Sequence, residues 1–222
     1  MQGKTHRVGG VLFALGGYSL MQKNGMLIED VNPLLQLAVV YPFAVYGSVL
    51  PDFDHNWNSC PSKDIVSFAI NKLLHLTNGV AEKNGKQPFI LSILNAKHRS
   101  WQTHSVLFLL LMCAVSVVLS NSLVGTFDAM LFKLVSEGLI LGIISHLVLD
   151  ALTPEGIWLA IPSFLSGKKL KFRVVPKKQF FATGGRWETL VRYMMWVIIV
   201  ILLCRIIYLA SPYRIEFNFP RG

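Results

Sequence analysis

Five apolar runs constrain this chain more than any other feature: Val8 to Leu20, Leu34 to Leu50, Val106 to Leu119, Leu134 to Leu152 and roughly Tyr193 to Ala210. A membrane-spanning helix needs about 20 residues, so these runs predict an all-α fold, a polytopic membrane helical bundle with about five transmembrane helices. The first and third runs reach that length only if the polar turns around Thr5-His6 and Thr103-His104 are helical too. A mean hydropathy of +0.50 with only 15% charged residues excludes an ordinary soluble domain and makes the bilayer the expected solvent. The chain from 1 to 222 then forms a single membrane-embedded domain, with 189–222 as the final transmembrane helix and a short tail.

The formal charge of +9 could suggest a nucleic-acid partner. Here, however, Lys and Arg flank the apolar runs, so direct nucleic-acid binding is not expected and topology explains the charge. If all five runs span, sixteen of the 21 basic residues fall on one side, among them Lys4, Arg7, Lys97, Arg99 and the stretch from Lys168 to Lys178. That bias predicts an inner-membrane protein with its N-terminus cytoplasmic and its C-terminus outside. A signal-peptide reading of the first 20 residues is set aside, because Met21-Gln22-Lys23 lacks a small-x-small cleavage pattern. Cys113 and Cys204 sit in apolar runs and Cys60 stands alone in a loop, so neither a disulfide framework nor a thiolate metal site follows. Two further segments lie on the cytoplasmic side. Ser62 to Leu76 predicts an amphipathic interfacial helix with Ser62 as N-cap, and Gly167 to Trp187 a basic hairpin against the lipid headgroups.

Histidine and aspartate gather at the same ends of these runs. His6 opens the first; Asp52, Asp54 and His55 follow the second in Leu50-Pro51-Asp52-Phe53-Asp54-His55; His98 and His104 precede the third; His146 and Asp150 close the fourth. Ligands that converge from separate segments are what a metal site at a bundle end requires. His146 and Asp150 are four apart in an otherwise apolar run, so they share a helix face. Ionisable groups there are costly unless paired or metal-bound. Carboxylates beside imidazoles suit zinc, manganese or iron. His98 and His104 are six apart and fall on different faces of a straight helix unless a turn with Thr103 as N-cap lies between them. Arg99 is placed to hold a phosphate, whereas His75 reads as a surface residue.

The order Thr5-His6, Leu50-Pro51-Asp52-Phe53-Asp54-His55, His98-Arg99-Ser100-x-x-Thr103-His104-Ser105 and His146-x-x-x-Asp150-Ala151-Leu152-Thr153-Pro154-x-Gly156 resembles the YdjM-type family. Its members are described as inner-membrane, metal-dependent hydrolases, and the family's naming associates it with a DNA-damage repressor. The resemblance covers 1–188, closing on Thr183-Gly184-Gly185-Arg186-Trp187-Glu188. The family is in turn similar to zinc-dependent phospholipase C and single-strand nucleases, helical enzymes with a trinuclear zinc cluster, in which an acidic residue stands where this chain has His98. The resemblance implies two or three divalent ions, zinc first.

The expected function is that of a membrane-bound hydrolase, cleaving a phosphoester, possibly of a lipid, with a metal-activated water at the cytoplasmic face. The expected ligands are His6, Asp52, His55, His98, His104, His146 and Asp150. Asp54 is the expected bridging ligand or water-orienting base and Arg99 the phosphate clamp. Membrane lipids are the expected partners. The alternatives are a metal-ion transporter, whose ligands would spread through bilayer depth, and a membrane scaffold with a structural polar cluster.

Overall fold

The computed structural model describes residues 3–29, 31–55, 57–75, 102–123, 127–159, 171–174 and 184–210. Among these it is mostly helical, with six α-helices: α1 Gly3–Lys23, α2 Pro33–Gly47, α3 Ile65–Leu74, α4 Val106–Ser122, α5 Phe127–Ala151 and α6 Arg186–Ala210. Two 3₁₀ turns, Leu50–Asp54 and Trp57–Ser59, link α2 to α3. A two-stranded antiparallel ladder pairs β1 Ile157–Trp158 with β2 Lys171–Phe172. The basic stretch therefore pairs with the segment after α5 rather than with itself at these two positions; most of the expected hairpin lies outside the described residues.

Three segments are long and apolar enough to cross a membrane: Pro33–Asp54, Asp128–Ala151 and Arg186–Leu209, with mean hydropathies of 1.5, 1.7 and 2.3. The other two expected spans are helical but less apolar or shorter. Helix α1 has 21 residues but opens on Lys4, Thr5, His6 and Arg7, and α4 has only 17. At about 1.5 Å of rise per residue, 17 residues fall short of a hydrocarbon core about 30 Å thick.

Local chemistry sets the helix starts. Asn32 caps α2, its side chain accepting from Leu34 N at 2.8 Å, with Pro33 in the first turn where its missing N–H costs nothing. Asp64, not Ser62, caps α3: Asp64 Oδ1 accepts from Ser67 N at 2.8 Å, while Ser62 donates its hydroxyl to the same carboxylate. Those bonds hold the Asp64 carboxyl well below the usual range. Ser105, not Thr103, caps α4 by accepting from Phe108 N at 3.0 Å. Both shifts move the cap closer to the helix it opens.

Helices α1, α2 and α5 form the centre of the bundle, and α2 meets α5 backbone to backbone. A Cβ at Gly142 would lie 2.2 Å from Ala44 O, and one at Gly47 would lie 2.4 Å from Leu139 O, so only glycine permits this crossing. Helix α6 packs on α1 through Val8, Leu15, Tyr18, Met195, Ile199 and Ile206. Helix α4 covers Ile143 and Leu147 of α5 with Val106, Phe108, Leu109 and Met112. The outer sides of α4 and α6 expose Leu110, Val118, Val197, Ile201 and Ile207, an inverted polarity that suits lipid rather than water.

Candidate metal centre

The close α2–α5 crossing brings the end of α5 against the turn that follows α2. His146 and Asp150 are fully buried on one face of α5. His146 Nδ1 lies 2.7 Å from Ser48 O. A carbonyl can only accept, so Nδ1 carries the proton and Nε2 keeps its lone pair. Nε2 faces Asp150 Oδ2 at 3.4 Å and Asp52 Oδ1 at 3.8 Å, and among the described residues it has no hydrogen-bond partner.

His104 is oriented in the same way. Its Nδ1 lies 2.9 Å from Thr103 Oγ1, and the Thr103 hydroxyl donates to Asp54 Oδ2 at 2.7 Å, so the ring N–H is taken on that side. Its Nε2 turns inward, 3.4 Å from Asp52 Oδ1 and 3.7 Å from Asp150 Oδ2. The backbone of this turn is pinned by Trp158 N donating to His104 O at 3.0 Å. Burial opposes charge on His104, but its hydrogen bonds with Asp52 and Asp54 outweigh that and push its pKa up to about 9. The cavity is thus built to hold positive charge.

His6 comes from the first turns of α1. Its ring stacks on His146 with centroids 3.9 Å apart, and its Nε2 lies 3.5 Å from Asp150 Oδ1. Two triads result, His6–Asp52–His146 and His104–His146–Asp150, in each of which the donor atoms lie within 4.8 Å of one another. The residues present fit a divalent cation: buried imidazoles and carboxylates converge, two rings have their outer N–H engaged as metal-ligating histidines do, and His146 Nε2 is aimed into the centre. Without a cation, several buried carboxylates would have to be balanced by imidazolium alone.

The remaining expected residues fall elsewhere. Asp54 belongs to neither triad; it stands behind His104, where it orients the ring through Thr103. The 3₁₀ geometry explains the split, because at three residues per turn Asp52 and Asp54 point to different sides. His55 lies outside both triads, and its carbonyl accepts from Asn71 Nδ2 at 2.6 Å. His98 and Arg99 lie outside the described residues. His75 is partly buried as the C-cap of α3, with Nε2 3.3 Å from His55 O, rather than a free surface residue. Two supports were not anticipated as such: Thr103, visible in its motif but assigned to a cap, and Asn71, which bonds Phe53 O at 2.7 Å and His55 O and carries no motif signal. Replacing Asp54 with Asn keeps the shape but removes the charge behind His104. Zinc affinity, measured by competition with a chelating dye, is expected to fall about 10- to 100-fold.

Fold and site together define a class: a helical membrane protein with a buried histidine–aspartate centre at the end of its bundle. Over residues 1–214 the chain matches the YdjM inner membrane protein family, and it belongs to that family. The searches of curated proteins and of solved structures return no match.

Proposed function

We propose that this protein is a membrane-bound, metal-dependent hydrolase that cleaves a phosphoester at the cytoplasmic face. The convergence of His6, Asp52, His104, His146 and Asp150 from separate segments onto one buried point carries this reading. Asp150 turns Oδ1 toward His6 and Oδ2 toward His104 and His146, an arrangement suited to bridging a pair of ions, zinc first, with manganese or iron as alternatives of similar ligand taste. A bound ion pair would supply an activated water and neutralise charge on a phosphoester. The chain's own part is to turn Nε2 of His104 and of His146 inward and to bring Asp52 and Asp150 up to them. Arg99 is the proposed phosphate clamp and His98 a further ligand, completing two or three ion sites. A lipid phosphoester is the proposed substrate, as the resemblance of the sequence motifs to zinc-dependent phospholipase C implies. Donors gathered at the bundle end, rather than spaced along it, favour this over an ion path. The test is elemental analysis of detergent-purified protein beside hydrolysis of a nitrophenyl phosphodiester. Bound zinc, manganese or iron, with activity lost on chelation and regained on adding the metal, is expected; full activity in metal-free protein overturns the proposal.

All five apolar helices cross the bilayer in this reading, the 17-residue α4 by local thinning of the lipid around it, with the site cytoplasmic and α3 lying in the interface. The polarity of α3 supports its place. Ser67 and Asn71 face the protein and bond Asp64, Tyr46, Phe53 O and His55 O, while Ile65, Val66, Phe68 and Leu73 face outward, Ile65 at 86% exposure. Burying its polar side and exposing its apolar side is what a helix does against lipid. In a cysteine-free background, a bimane label on Ile65→Cys is expected to be quenched by spin-labelled lipid, and one on Lys63→Cys by aqueous iodide. Equal iodide quenching at both positions would remove α3 from the bilayer.

A further inference from the structure

Helix α6 supplies no ligand, yet its first turn carries a buried carboxylate that the centre described above does not use. Glu188 is 2% exposed. Its Oε2 accepts from Gly184 N at 2.7 Å, tying down the chain where it turns through Gly184 at φ +78 before α6 begins. Its Oε1 accepts from Thr5 Oγ1 at 2.6 Å, a buried bond between residues 183 apart in sequence. One oxygen therefore completes a local cap of the capping-box kind, and the other reaches the opposite end of the chain. The helix N-terminus stabilises the carboxylate at that spot.

We infer that Glu188 and Thr5 form a positioning latch that sets the rotation of α1 and so points His6 at the metal centre. Successive helical residues are about 100° apart around the axis, so fixing Thr5 toward α6 fixes the direction of His6. His6 then faces α5, where its ring stacks on His146. The rest of α1 packs through apolar side chains and through Gly9, Gly10 and Gly17, where Leu149, Ala44 O and Leu141 come close, and the exposed Arg7 donates to Pro61 O at 2.7 Å; the Thr5–Glu188 bond adds a buried, directional contact to α6 directly beside His6. A charge-assisted hydrogen bond is directional and strong when buried. The described part of the closing segment, Gly184 to Glu188, thereby supports the centre while supplying no donor atom to either triad.

The inference rests on the metal-centre reading, so its test has one arm that needs no metal. Thr5→Val removes the hydroxyl at nearly constant shape, Thr5→Ser keeps it, and Ile199→Ala weakens the same α1–α6 contact without touching the latch. The first readout is carbethoxylation of His6 followed by mass spectrometry on the full-length protein in detergent. Thr5→Val is expected to raise the His6 rate at least several-fold, while Thr5→Ser and Ile199→Ala stay within twofold of wild type. The second is zinc affinity, expected to fall about 10- to 100-fold in Thr5→Val, as for other groups that orient a ligand, and to be restored in Thr5→Ser. Unchanged His6 reactivity in Thr5→Val overturns the latch. So does an equal rise in Ile199→Ala, which would make the contact merely structural. If wild type binds no zinc while Thr5→Val still exposes His6, the latch stands and the metal-centre reading fails.

Discussion

His146→Ala is expected, on the proposed hydrolase reading, to lose bound metal and, with it, phosphodiester hydrolysis, while remaining folded. His146 is common to both triads, so whichever of them holds an ion, its removal takes a ligand away. Its Nδ1 bond to Ser48 O also ends, releasing the turn that carries Asp52. Groups that merely orient a ligand cost about 10- to 100-fold in affinity when removed, so loss of a ligand shared by two triads should exceed about 100-fold. Elemental analysis of wild type and variant purified side by side measures this directly, with thermal unfolding in detergent to verify the fold. Equal metal content in the two proteins would remove His146 from the centre.

Gly142→Ala is expected to be among the most damaging conservative changes in the chain. The added Cβ would sit 2.2 Å from Ala44 O, 2.6 Å from Ser48 N and 2.7 Å from Gly47 C, all backbone atoms that no rotamer change can move. Relief requires α2 and α5 to separate. Overpacking costs about 1–3 kcal/mol where side chains can yield, so a backbone clash should reach about 3 kcal/mol or more. Because the His146–Ser48 bond crosses this same contact, metal affinity should fall with stability. Gly16→Ala is the control: its Cβ would meet nothing within 4 Å, and alanine favours the helix by up to about 1 kcal/mol. Thermal unfolding of the three proteins in one detergent separates the cases; a Gly142→Ala protein as stable as wild type would mean that the helices do not touch there.

The solvent and most of the donor set follow from the order of residues alone. Apolar runs of near-spanning length leave few alternatives to helices in lipid, and His146 with Asp150 is legible because a spacing of four places both on one helix face whatever surrounds them. His6, Asp52 and His104 were legible as polar residues at the ends of those runs. How neighbouring residues divide their roles emerges only once the helices are packed. Asp52 and Asp54 are equivalent in the sequence; the 3₁₀ turn sends one into the centre and the other behind His104. Thr103 and Ser105 are both capable caps, and the choice fell to Ser105 because Thr103 is engaged by Asp54 across a separation of 49 residues. Glu188 stands in the sequence only as the last residue of a closing motif, since nothing local indicates that Thr5 will lie against it. Local periodicity fixes which way a side chain points from its own helix, whereas the partner it meets depends on how closely helices cross, here through Gly47 and Gly142.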